Sequence, residues 1–235
     1  MGGTNVILNS KSYAKEEFEL YFKIYPYPVQ SLDETNQTRK EFEQMFDRNY
    51  LNKYYSNIYI ELKNGDALLI QGPSGTGKTS LLKAMAGIYP FETVGLVEHP
   101  CVTSLFLPQR PYMPQGTLRE AICYPDIDPY HPELEKTLAD CCLDKYLHSL
   151  DVDNDWQAIL SPGELQRVAF IRILLTKPEV VFLDETTSAL DEPTEYLLYK
   201  TIKERLPNMI ILSVGHRGTL HQFHNKQLDL AVCIV

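Results

Sequence analysis

The 235-residue sequence predicts an α/β fold whose sheet is mainly parallel. The first observation is an apolar run at residues 67–70, which leads into a glycine-rich loop and then into apolar residues at helical spacing, ending at Gly87. The second is a short, fully apolar run at residues 180–183, of the kind found in buried parallel strands, with another buried strand predicted at residues 209–214. A helical segment at residues 193–206 separates those two predicted strands. Because strands and helices alternate, a largely parallel sheet is expected.

The N-terminal third contains aromatic and charged segments. Residues 18–27 are rich in aromatic side chains that alternate as in a strand, and prolines at positions 26 and 28 are expected to end it. Residues 37–57 are charged, with apolar side chains at helical spacing, and predict a helix that packs on its own domain. Residues 58–62 resemble another strand, and an Asn-Gly turn signal follows it directly. No element is predicted before residue 18.

The remainder of the chain alternates between short strands, loops and helices. Residues 89–107 hold short apolar pieces broken by proline and glycine, which predict small strands, and a polar loop covers residues 107–117. Helical patches follow, for example at residues 132–143. A stronger helical pattern covers residues 161–175, and residues 228–235 predict a last strand.

The composition limits the classes of function. The net charge is −9 and no dense block of Lys and Arg occurs, so neither a nucleic acid nor an anionic lipid surface is expected as the main partner. The five cysteines show no Cys-x-x-Cys spacing and are expected to be reduced thiols rather than disulfides or zinc ligands. No stretch approaches the ~18 consecutive apolar residues of a membrane-spanning helix, and the N-terminus lacks the apolar core of a secretory signal. The chain is therefore expected not to insert directly into a membrane.

Residues 72–79, GPSGTGKT, match the phosphate-binding pattern G-x-x-x-x-G-K-[ST] in the strand–loop–helix context that this motif requires. The glycines let backbone N–H groups approach phosphate oxygens, and the helix N-terminus adds partial positive charge. Lys78 is expected to bind the β- and γ-phosphates, and the Thr79 hydroxyl to bind Mg²⁺. The sequence therefore predicts that the chain binds a nucleoside triphosphate. The predicted nucleotide-binding residues are Gly72, Pro73, Ser74, Gly75, Thr76, Gly77, Lys78, Thr79 and Ser80.

Two carboxylates, Asp184 and Glu185, follow the apolar run at residues 180–183. Ligands of open α/β sheets bind beyond the carboxyl ends of the strands, so both acids are expected beside the phosphate loop. Asp184 suits Mg²⁺, which prefers few, hard oxygen ligands. Glu185 could then orient or deprotonate an attacking water. An apolar strand that ends in Asp-Glu is a weak signal alone, but behind a phosphate loop it is a strong one.

Five ordered motifs resemble those of ATP-binding cassette (ABC) proteins. Residues 160–167, LSPGELQR, are similar to the LSGGQ signature and stand shortly before the FLDE strand. The other marks are the phosphate loop, Gln109 in the Q-loop, residues 188–191 (SALD) in the D-loop and His216 in the switch loop. The resemblance covers roughly residues 58–230. Its finer wording is similar to subfamily D, the peroxisomal fatty acyl-CoA and lysosomal cobalamin half-transporters, and to bacterial relatives that join a permease and an ATPase.

The resemblance implies that two cassettes, identical or different, pack head to tail. Each ATP would then lie between one phosphate loop and the opposite signature. Ser161 and Gly163 would contact the γ-phosphate in trans at the start of a helix, a position that attracts anions. Asp191 in the D-loop would tie the two cassettes together.

The resemblance also implies roles around the reacting phosphate. Gln109 would contact the metal and relay its state to the transport domain, and His216 would hold the γ-phosphate and the attacking water. An aromatic side chain normally stacks on adenine, and Tyr27, or alternatively Tyr25, is the candidate here. The implied catalytic residues are Lys78, Gln109, Glu185 and His216, and the implied Mg²⁺ ligands are Thr79, Gln109 and Asp184.

The signature departs from the family pattern at two positions. Pro162 replaces the first glycine, but proline is well tolerated in the first turn of a helix, where its missing N–H would be unpaired anyway. Glu164 replaces glutamine and adds negative charge near a negative ligand, so it could slow or tune the reaction. A working site is expected, because the phosphate contacts of the family come mainly from the positions of Ser161 and Gly163.

The resemblance implies a single P-loop NTPase domain of the ABC type over residues 1–235. Its ATP-binding core, with an antiparallel β subdomain, would comprise residues 18–109 and 157–235. A helical subdomain would comprise residues 110–156, with the signature at 160–164. The implied partners are a second cassette and a transmembrane permease domain or subunit, which would hold the chain at the cytosolic face of a membrane. No transmembrane domain is predicted within the chain itself.

Two functions from different classes remain open. The leading interpretation is the ATP-hydrolysing subunit or fragment of a membrane transporter, in which ATP closes the cassette dimer and hydrolysis reopens it. The alternative is a regulatory or interaction module that binds nucleotide with little or no hydrolysis. A third option, a soluble cassette protein acting on ribosomes or DNA, usually has two cassettes or a long coiled coil. Tyr112 and Met113 remain open between core packing and contact with the transport domain, whereas His221 and His224 are expected at the surface or in packing.

Overall fold

A computed structural model describes residues 2–12, 18–28, 58–88 and 103–231, with the backbone alone for those before Ile60. The chain divides into two compact units. The first comprises Met1–Asn64, Ile70–Val102 and Gln227–Val235, and the second comprises Gly65–Leu69 and Thr103–Lys226. The helix predicted at residues 37–57 and the small strands predicted before residue 103 lie outside the described residues. The subdomain boundaries proposed from the sequence stay predictions.

The first unit contains a three-stranded antiparallel sheet in the order β1 (Gly2–Ser12), β2 (Phe18–Pro28) and β3 (Ile58–Lys63). The strands predicted at residues 18–27 and 58–62 are confirmed. β1 was not predicted, because its Gly and Asn residues have low strand propensity. Pro26 lies within β2 instead of ending it. β3 pairs with residues 19–24 of β2, so among the described strands β2 has only β1 beside it at Pro26, and a residue without an N–H is tolerated at such an edge.

β4 (Ala67–Gln71), the glycine-rich loop and helix α1 (Lys78–Met85) follow one another as predicted. Three apolar side chains of α1 are buried, namely Leu81, Leu82 and Met85. Gly87 has a φ angle of 70°, and its N–H donates to the Ala84 carbonyl oxygen over 3.1 Å. A left-handed glycine is a common helix stop, so the predicted end of the helix is confirmed.

The second unit contains short elements followed by longer ones. After β5 (Ser104–Leu107), the short elements are β6 (Gly116–Thr117), α2 (Leu118–Cys123), α3 (Leu134–Asp140), a 3-10 helix (Asp144–Ser149), β7 (Asp153–Asn154) and α4 (Trp156–Ile159). The longer elements are α5 (Pro162–Thr176), β8 (Val180–Asp184), α6 (Glu192–Arg205) and β9 (Ile210–Val214). The helices and strands predicted over residues 161–214 are thus confirmed.

The sheet of the second unit is parallel where β5, β8 and β9 meet. Leu107 pairs with Leu183, and Asp184 pairs with Val214, so the three strands end at the same edge. The first residues of β4 continue the sheet beyond β9, where the Ile211 N–H donates to the Asp66 carbonyl oxygen over 3.0 Å. Every residue of β8 and β9 is buried, as their apolar runs predict.

Helices α5 and α6 pack their apolar faces into one core in the second unit. Phe170 of α5 meets Tyr199 of α6 edge to face, with ring centroids 5.8 Å apart. Tyr199 in turn stacks on Phe223, in a second 3-10 helix (Gly218–Phe223), at 4.7 Å. Burial of one such aromatic side chain contributes about 1.5–3 kcal/mol. This core supports the sheet edge at which β5, β8 and β9 end.

The last described strand is β10 (Lys226–Asp229), next to β4 in the sheet order. The strand predicted at residues 228–235 therefore begins two residues earlier than predicted and stops at Asp229, and residues 232–235 of that prediction lie outside the described residues. The Asp229 carboxylate accepts a 2.8 Å hydrogen bond from the Ala231 N–H, and a local turn of this kind ends the strand. Within the ranges described, no helix has both the length and the apolar content needed to cross a membrane.

Candidate functional site

The phosphate loop lies in the first unit, between β4 and α1. Gly72, Gly75 and Gly77 have φ angles of 141°, 81° and 82°, in the region that favours glycine. The loop curls around the Lys78 ammonium, whose Nζ donates to the carbonyl oxygens of Gly72 at 2.9 Å and Pro73 at 2.8 Å. The Lys78 side chain is thereby held at the start of α1, where the helix dipole is also positive. This arrangement suits the binding of a phosphate group.

The other predicted residues of the loop have distinct positions. Thr76 is buried, and its hydroxyl donates to the Pro73 carbonyl oxygen at 2.8 Å, which closes the loop on itself. Ser74 is exposed, and Thr79 and Ser80 lie in the first turn of α1. The motif and its strand–loop–helix context are therefore formed as the sequence predicts.

The carboxylates that follow β8 have different environments. Asp184 is the last residue of β8 and is buried, whereas Glu185 is partly exposed. Glu185 has a φ angle of 48°, a left-handed conformation that costs a non-glycine residue about 1–3 kcal/mol and is typical of functional sites. Its N–H donates to the Val214 carbonyl oxygen over 3.0 Å. The predicted position of both acids beside the phosphate loop stays a prediction.

Three predicted catalytic side chains meet at the sheet edge of the second unit. Gln109 follows β5, Glu185 follows β8 and His216 follows β9. The Gln109 Nε2 donates to Glu185 Oε2 over 3.0 Å, and His216 Nε2 lies 3.6 Å from Glu185 Oε1. Gln109 and His216 are exposed. The parallel strands therefore bring an amide, a carboxylate and an imidazole together at a surface where a water molecule could be oriented.

The predicted signature forms the start of α5. Ser161 is the N-cap residue, Pro162 lies in the first turn, and a capping box links Ser161 to Glu164. This confirms that proline is compatible with the helix start at this position. A Cβ atom added to Gly163 would lie 3.1 Å from the Ala189 carbonyl oxygen. A side chain at position 163 would therefore crowd the D-loop, and glycine leaves room for its close approach.

The charge of Glu164 is compensated within its own neighbourhood. Its carboxylate accepts from Ser161 N at 2.8 Å and Tyr146 Oη at 3.1 Å, and it lies 2.6 Å from Lys145 Nζ. Burial raises the pKa of Glu164, but the hydrogen bonds from Lys145, Ser161 and Tyr146 outweigh this and lower the pKa to about 2. Glu164 is therefore ionised and paired, which weakens the expected repulsion toward an anion. Tyr146 also packs edge to face on the buried Trp156, 6.0 Å away.

The D-loop is held to the switch loop by a residue that sequence reasoning missed. Arg217 donates to the carbonyl oxygens of Leu190 at 2.6 Å and Ser188 at 3.0 Å. Asp191 caps helix α6, since its Oδ1 accepts from Thr194 N at 2.7 Å. Hydrogen bonding from the Thr194 side chain, and after it from the Thr194 N–H, lowers the pKa of Asp191. The only sequence signal for Arg217 is its position directly after His216.

The loop after Gln109 is anchored by Arg172, a buried residue of α5. Its guanidinium donates to the carbonyl oxygens of Tyr112 at 2.8 Å, Ala121 at 2.9 Å and Ile122 at 3.0 Å. Met113 is buried in the core, whereas Tyr112 is 61% exposed. Met113 is therefore a packing residue, and a contact of Tyr112 with a transport domain stays a prediction. An arginine among apolar residues of a helix was the available signal for Arg172.

The remaining expectations concern the adenine contact, the histidines near residue 224 and a metal site. Tyr25 and Tyr27 lie in β2, and their side chains are outside the described part of the chain, so adenine stacking stays a prediction. His224 is buried, with Nε2 2.8 Å from Ser213 Oγ and Nδ1 2.7 Å from the Leu220 carbonyl oxygen, which confirms its packing role. Among the residues the structure describes, no three His, Cys, Asp or Glu side chains are grouped so as to hold a metal ion.

The chain is similar to known proteins in sequence and in fold. A family model described as "ABC transporter" matches residues 55–188. An uncharacterized ABC transporter ATP-binding protein of Haemophilus influenzae is 80% identical over 180 residues, which cover 77% of this chain and 31% of that protein. ABC transporter D family member 2, a chloroplastic protein of Arabidopsis thaliana, is 36% identical over 249 residues, covering 83% and 35%. The chain thus spans about a third of the length of these curated relatives.

One solved structure is similar to this chain in fold. The structure of a bacterial Atm1-family ABC exporter with ATP bound aligns with a TM-score of 0.64 and 24% sequence identity. The alignment covers 78% of this chain and 35% of the exporter chain. At this level of identity the likeness concerns the fold, and it confirms the predicted fold class.

Proposed function

The chain belongs to the ABC transporter family, and on this premise we propose that it is an ATP-binding and ATP-hydrolysing subunit or fragment of a membrane transporter. The membership and the similarity to a D family member confirm the relationship inferred from the motifs. Members of this family bind ATP and are generally ATPases. The observation that carries the proposal is the cluster of Gln109, Glu185 and His216, in which the carboxylate of a residue with a left-handed backbone lies between an amide and an imidazole.

The proposed binding of ATP rests on the phosphate loop. Lys78 would pair with the β- and γ-phosphates, replacing its present carbonyl partners, and N–H groups of the loop would hold the phosphate oxygens. Thr79, Gln109 and Asp184 offer hydroxyl, amide and carboxylate oxygens, which are the hard ligands that Mg²⁺ prefers. Mg²⁺, when bound, would neutralise charge on the β- and γ-phosphate oxygens. Tyr27 remains the proposed adenine contact.

The proposed reaction is the attack of water on the γ-phosphorus. The water oxygen forms the new bond to phosphorus, the bond to the β,γ-bridging oxygen breaks, and ADP and phosphate leave. Glu185 would orient the water and accept its proton, and His216 would hold the γ-phosphate and the water. Gln109, which donates to Glu185, would fix the carboxylate in the orientation that this proton transfer requires.

The proposed assembly is a head-to-tail pair of cassettes. Ser161 and Gly163 stand at the start of the 15-residue helix α5, where the helix dipole favours an anion supplied by the opposite chain. Asp191 would contribute to the contact between chains. A permease domain or subunit would receive the movement of the pair and hold the chain at the cytosolic face of a membrane. Substrate translocation would then follow from ATP-driven closing and hydrolysis-driven opening.

The experiment that tests this proposal is sedimentation velocity of the Glu185→Gln variant with and without ATP–Mg²⁺. Because the variant would bind ATP without cleaving it, we expect ATP to convert monomers into dimers. Adding Ser161→Asp keeps a capping oxygen on α5 but places negative charge at the phosphate contact, so the dimer should be lost. Ser104→Asp, at the exposed start of β5, is the matched control. The proposal would be contradicted if Glu185→Gln stayed monomeric in ATP, or if its dimer persisted after Ser161→Asp was added.

A further inference from the structure

A buried glutamine of α5 connects the loops that carry the proposed catalytic residues. Gln166 is 3% exposed. Its Nε2 lies 3.0 Å from Ser188 Oγ, 3.3 Å from the Gln109 carbonyl oxygen and 3.4 Å from the Glu185 carbonyl oxygen. Its Oε1 accepts a 2.8 Å hydrogen bond from the Ala189 N–H. One side chain therefore reaches the Q-loop, the residue after β8 and the D-loop.

The hydrogen bond from Gln166 to Glu185 acts on a strained part of the backbone. Glu185 has a left-handed backbone, which persists only when its surroundings hold it. Its N–H is held by the Val214 carbonyl oxygen at 3.0 Å, and its own carbonyl oxygen is held by Gln166. The strained peptide is thus fixed on one side by the sheet and on the other by the signature helix. The direction of the Glu185 carboxylate depends on both bonds.

The D-loop is seated on the same helix. The Ala189 N–H is bound by Gln166, and the Ala189 carbonyl oxygen lies where a Cβ of Gly163 would be only 3.1 Å away. Gln166 therefore binds the N–H of Ala189, and Gly163 leaves room for the carbonyl oxygen of the same residue. A leucine at position 166 would fill similar space but could neither donate to the two carbonyl groups nor accept from Ala189.

We propose that Gln166 is a positioning residue for ATP hydrolysis, which fixes Glu185 and Gln109 relative to the signature helix of the same chain. Gln166 touches backbone atoms and a serine hydroxyl rather than the reacting groups, so it acts through Glu185. This inference rests on the proposed hydrolysis of ATP. A change at Gln166 is expected to lower the rate of the chemical step without weakening ATP binding, because it has no contact with the phosphate loop residues among its described hydrogen bonds.

The test compares Gln166→Leu and Gln166→Glu with the wild-type chain in steady-state ATP hydrolysis and in calorimetric titration with ATP. Both variants should lower kcat about 10- to 100-fold, the effect of a small misplacement of catalytic groups, while the Kd for ATP stays within twofold. Gln166→Glu keeps the acceptor for Ala189 and similar volume, but its carboxylate cannot donate to Glu185. It therefore tests the donor role should the leucine variant fail to fold.

Gln157→Leu is the matched control. Gln157 accepts a hydrogen bond from the Met113 N–H at 3.0 Å, so it ties a side-chain amide to the same loop. None of its described hydrogen bonds reaches Glu185 or the D-loop. Its kcat should stay within twofold of wild type. A wild-type kcat in the Gln166 variants, or losses of kcat and ATP affinity in equal proportion, would overturn the positioning role. If the wild-type chain itself releases no phosphate, it is the proposed hydrolysis that fails.

Discussion

The side-chain amide of Gln109 donates a 3.0 Å hydrogen bond to the carboxylate of Glu185, which is 76 residues away in the sequence. The parallel register of β5 and β8 produces this contact, since both residues follow strands that end at the same edge. The other carboxylate oxygen of Glu185 faces His216 at 3.6 Å. A single carboxylate thus lies between an amide and an imidazole, an arrangement that suits a residue proposed to orient a water molecule.

Lys78→Ala is expected to weaken ATP binding. The variant removes the positive charge that the loop holds through the Gly72 and Pro73 carbonyl oxygens. Hydrogen bonds to charged groups are worth about 1.5–3 kcal/mol, so the Kd should rise about 10- to 100-fold. Calorimetric titration with ATP measures it. Lys83→Ala, in the last turn of the same helix, should leave the Kd unchanged, and an equal loss in both variants would refute the role of Lys78.

Pro162→Gly is expected to have little effect on the rate of ATP hydrolysis. Pro162 lies in the first turn of α5, and the N-cap contact of Ser161 does not involve it. The substitution should lower the free energy of unfolding by about 0.4–1 kcal/mol, because glycine increases the conformational entropy of the unfolded chain. Phosphate release and urea denaturation measure the two quantities. A large increase in the rate would instead mean that proline impairs the signature.

Glu164→Gln is expected to change how stability depends on acid pH. Burial raises the pKa of Glu164. Its hydrogen bonds have the larger, opposite effect, so the pKa is lowered to about 2. A lowered folded-state pKa means that the ionised carboxylate stabilises the fold fully above its unfolded pKa of about 4.3. This contribution is lost as the pH falls through that value toward the folded pKa.

The corresponding measurement is the free energy of unfolding in urea between pH 6 and pH 3.5 for the wild type and the variant. The wild type should be more stable at pH 6, and the difference should narrow as the pH falls. Glu204→Gln, at an exposed ion pair with Lys200, is the control. Its free energy of unfolding should depend on pH in the same way as that of the wild type. A constant difference across this pH range for Glu164→Gln would contradict the account of its pairing.

Much of the fold follows from local signals in the sequence. The apolar runs of β8 and β9, the capping residues Ser161 and Asp191 and the stop at Gly87 each act within a few residues, so each element was predictable. The end of β10 was not, because one hydrogen bond from Ala231 to Asp229 ends it. The N-terminal strand β1 has a composition that does not favour strands, and it forms by pairing with β2.

The candidate site was predictable in its motifs but not in its connections. A local pattern in the sequence marks the phosphate loop, Gln109, Glu185 and His216. The hydrogen bonds of Gln166 and Arg217 join residues 19 to 57 positions apart, so only the folded backbone reveals them. A buried amide or guanidinium in a helix signals such a connection but does not identify its partners.

The proposed function depends on hydrolysis of ATP at Glu185, and the decisive measurement is phosphate release from ATP–Mg²⁺ by the wild type and by Glu185→Gln. We expect steady release by the wild type and a loss of about 10²-fold or more in the variant, because Glu185 is proposed to accept the proton of the attacking water. Glu204→Gln, the same change at an exposed site, should keep the wild-type rate. Equal rates of release in the wild type and Glu185→Gln would show that Glu185 is not the residue that activates the water. A wild type that binds ATP without releasing phosphate would instead indicate a nucleotide-binding regulatory module.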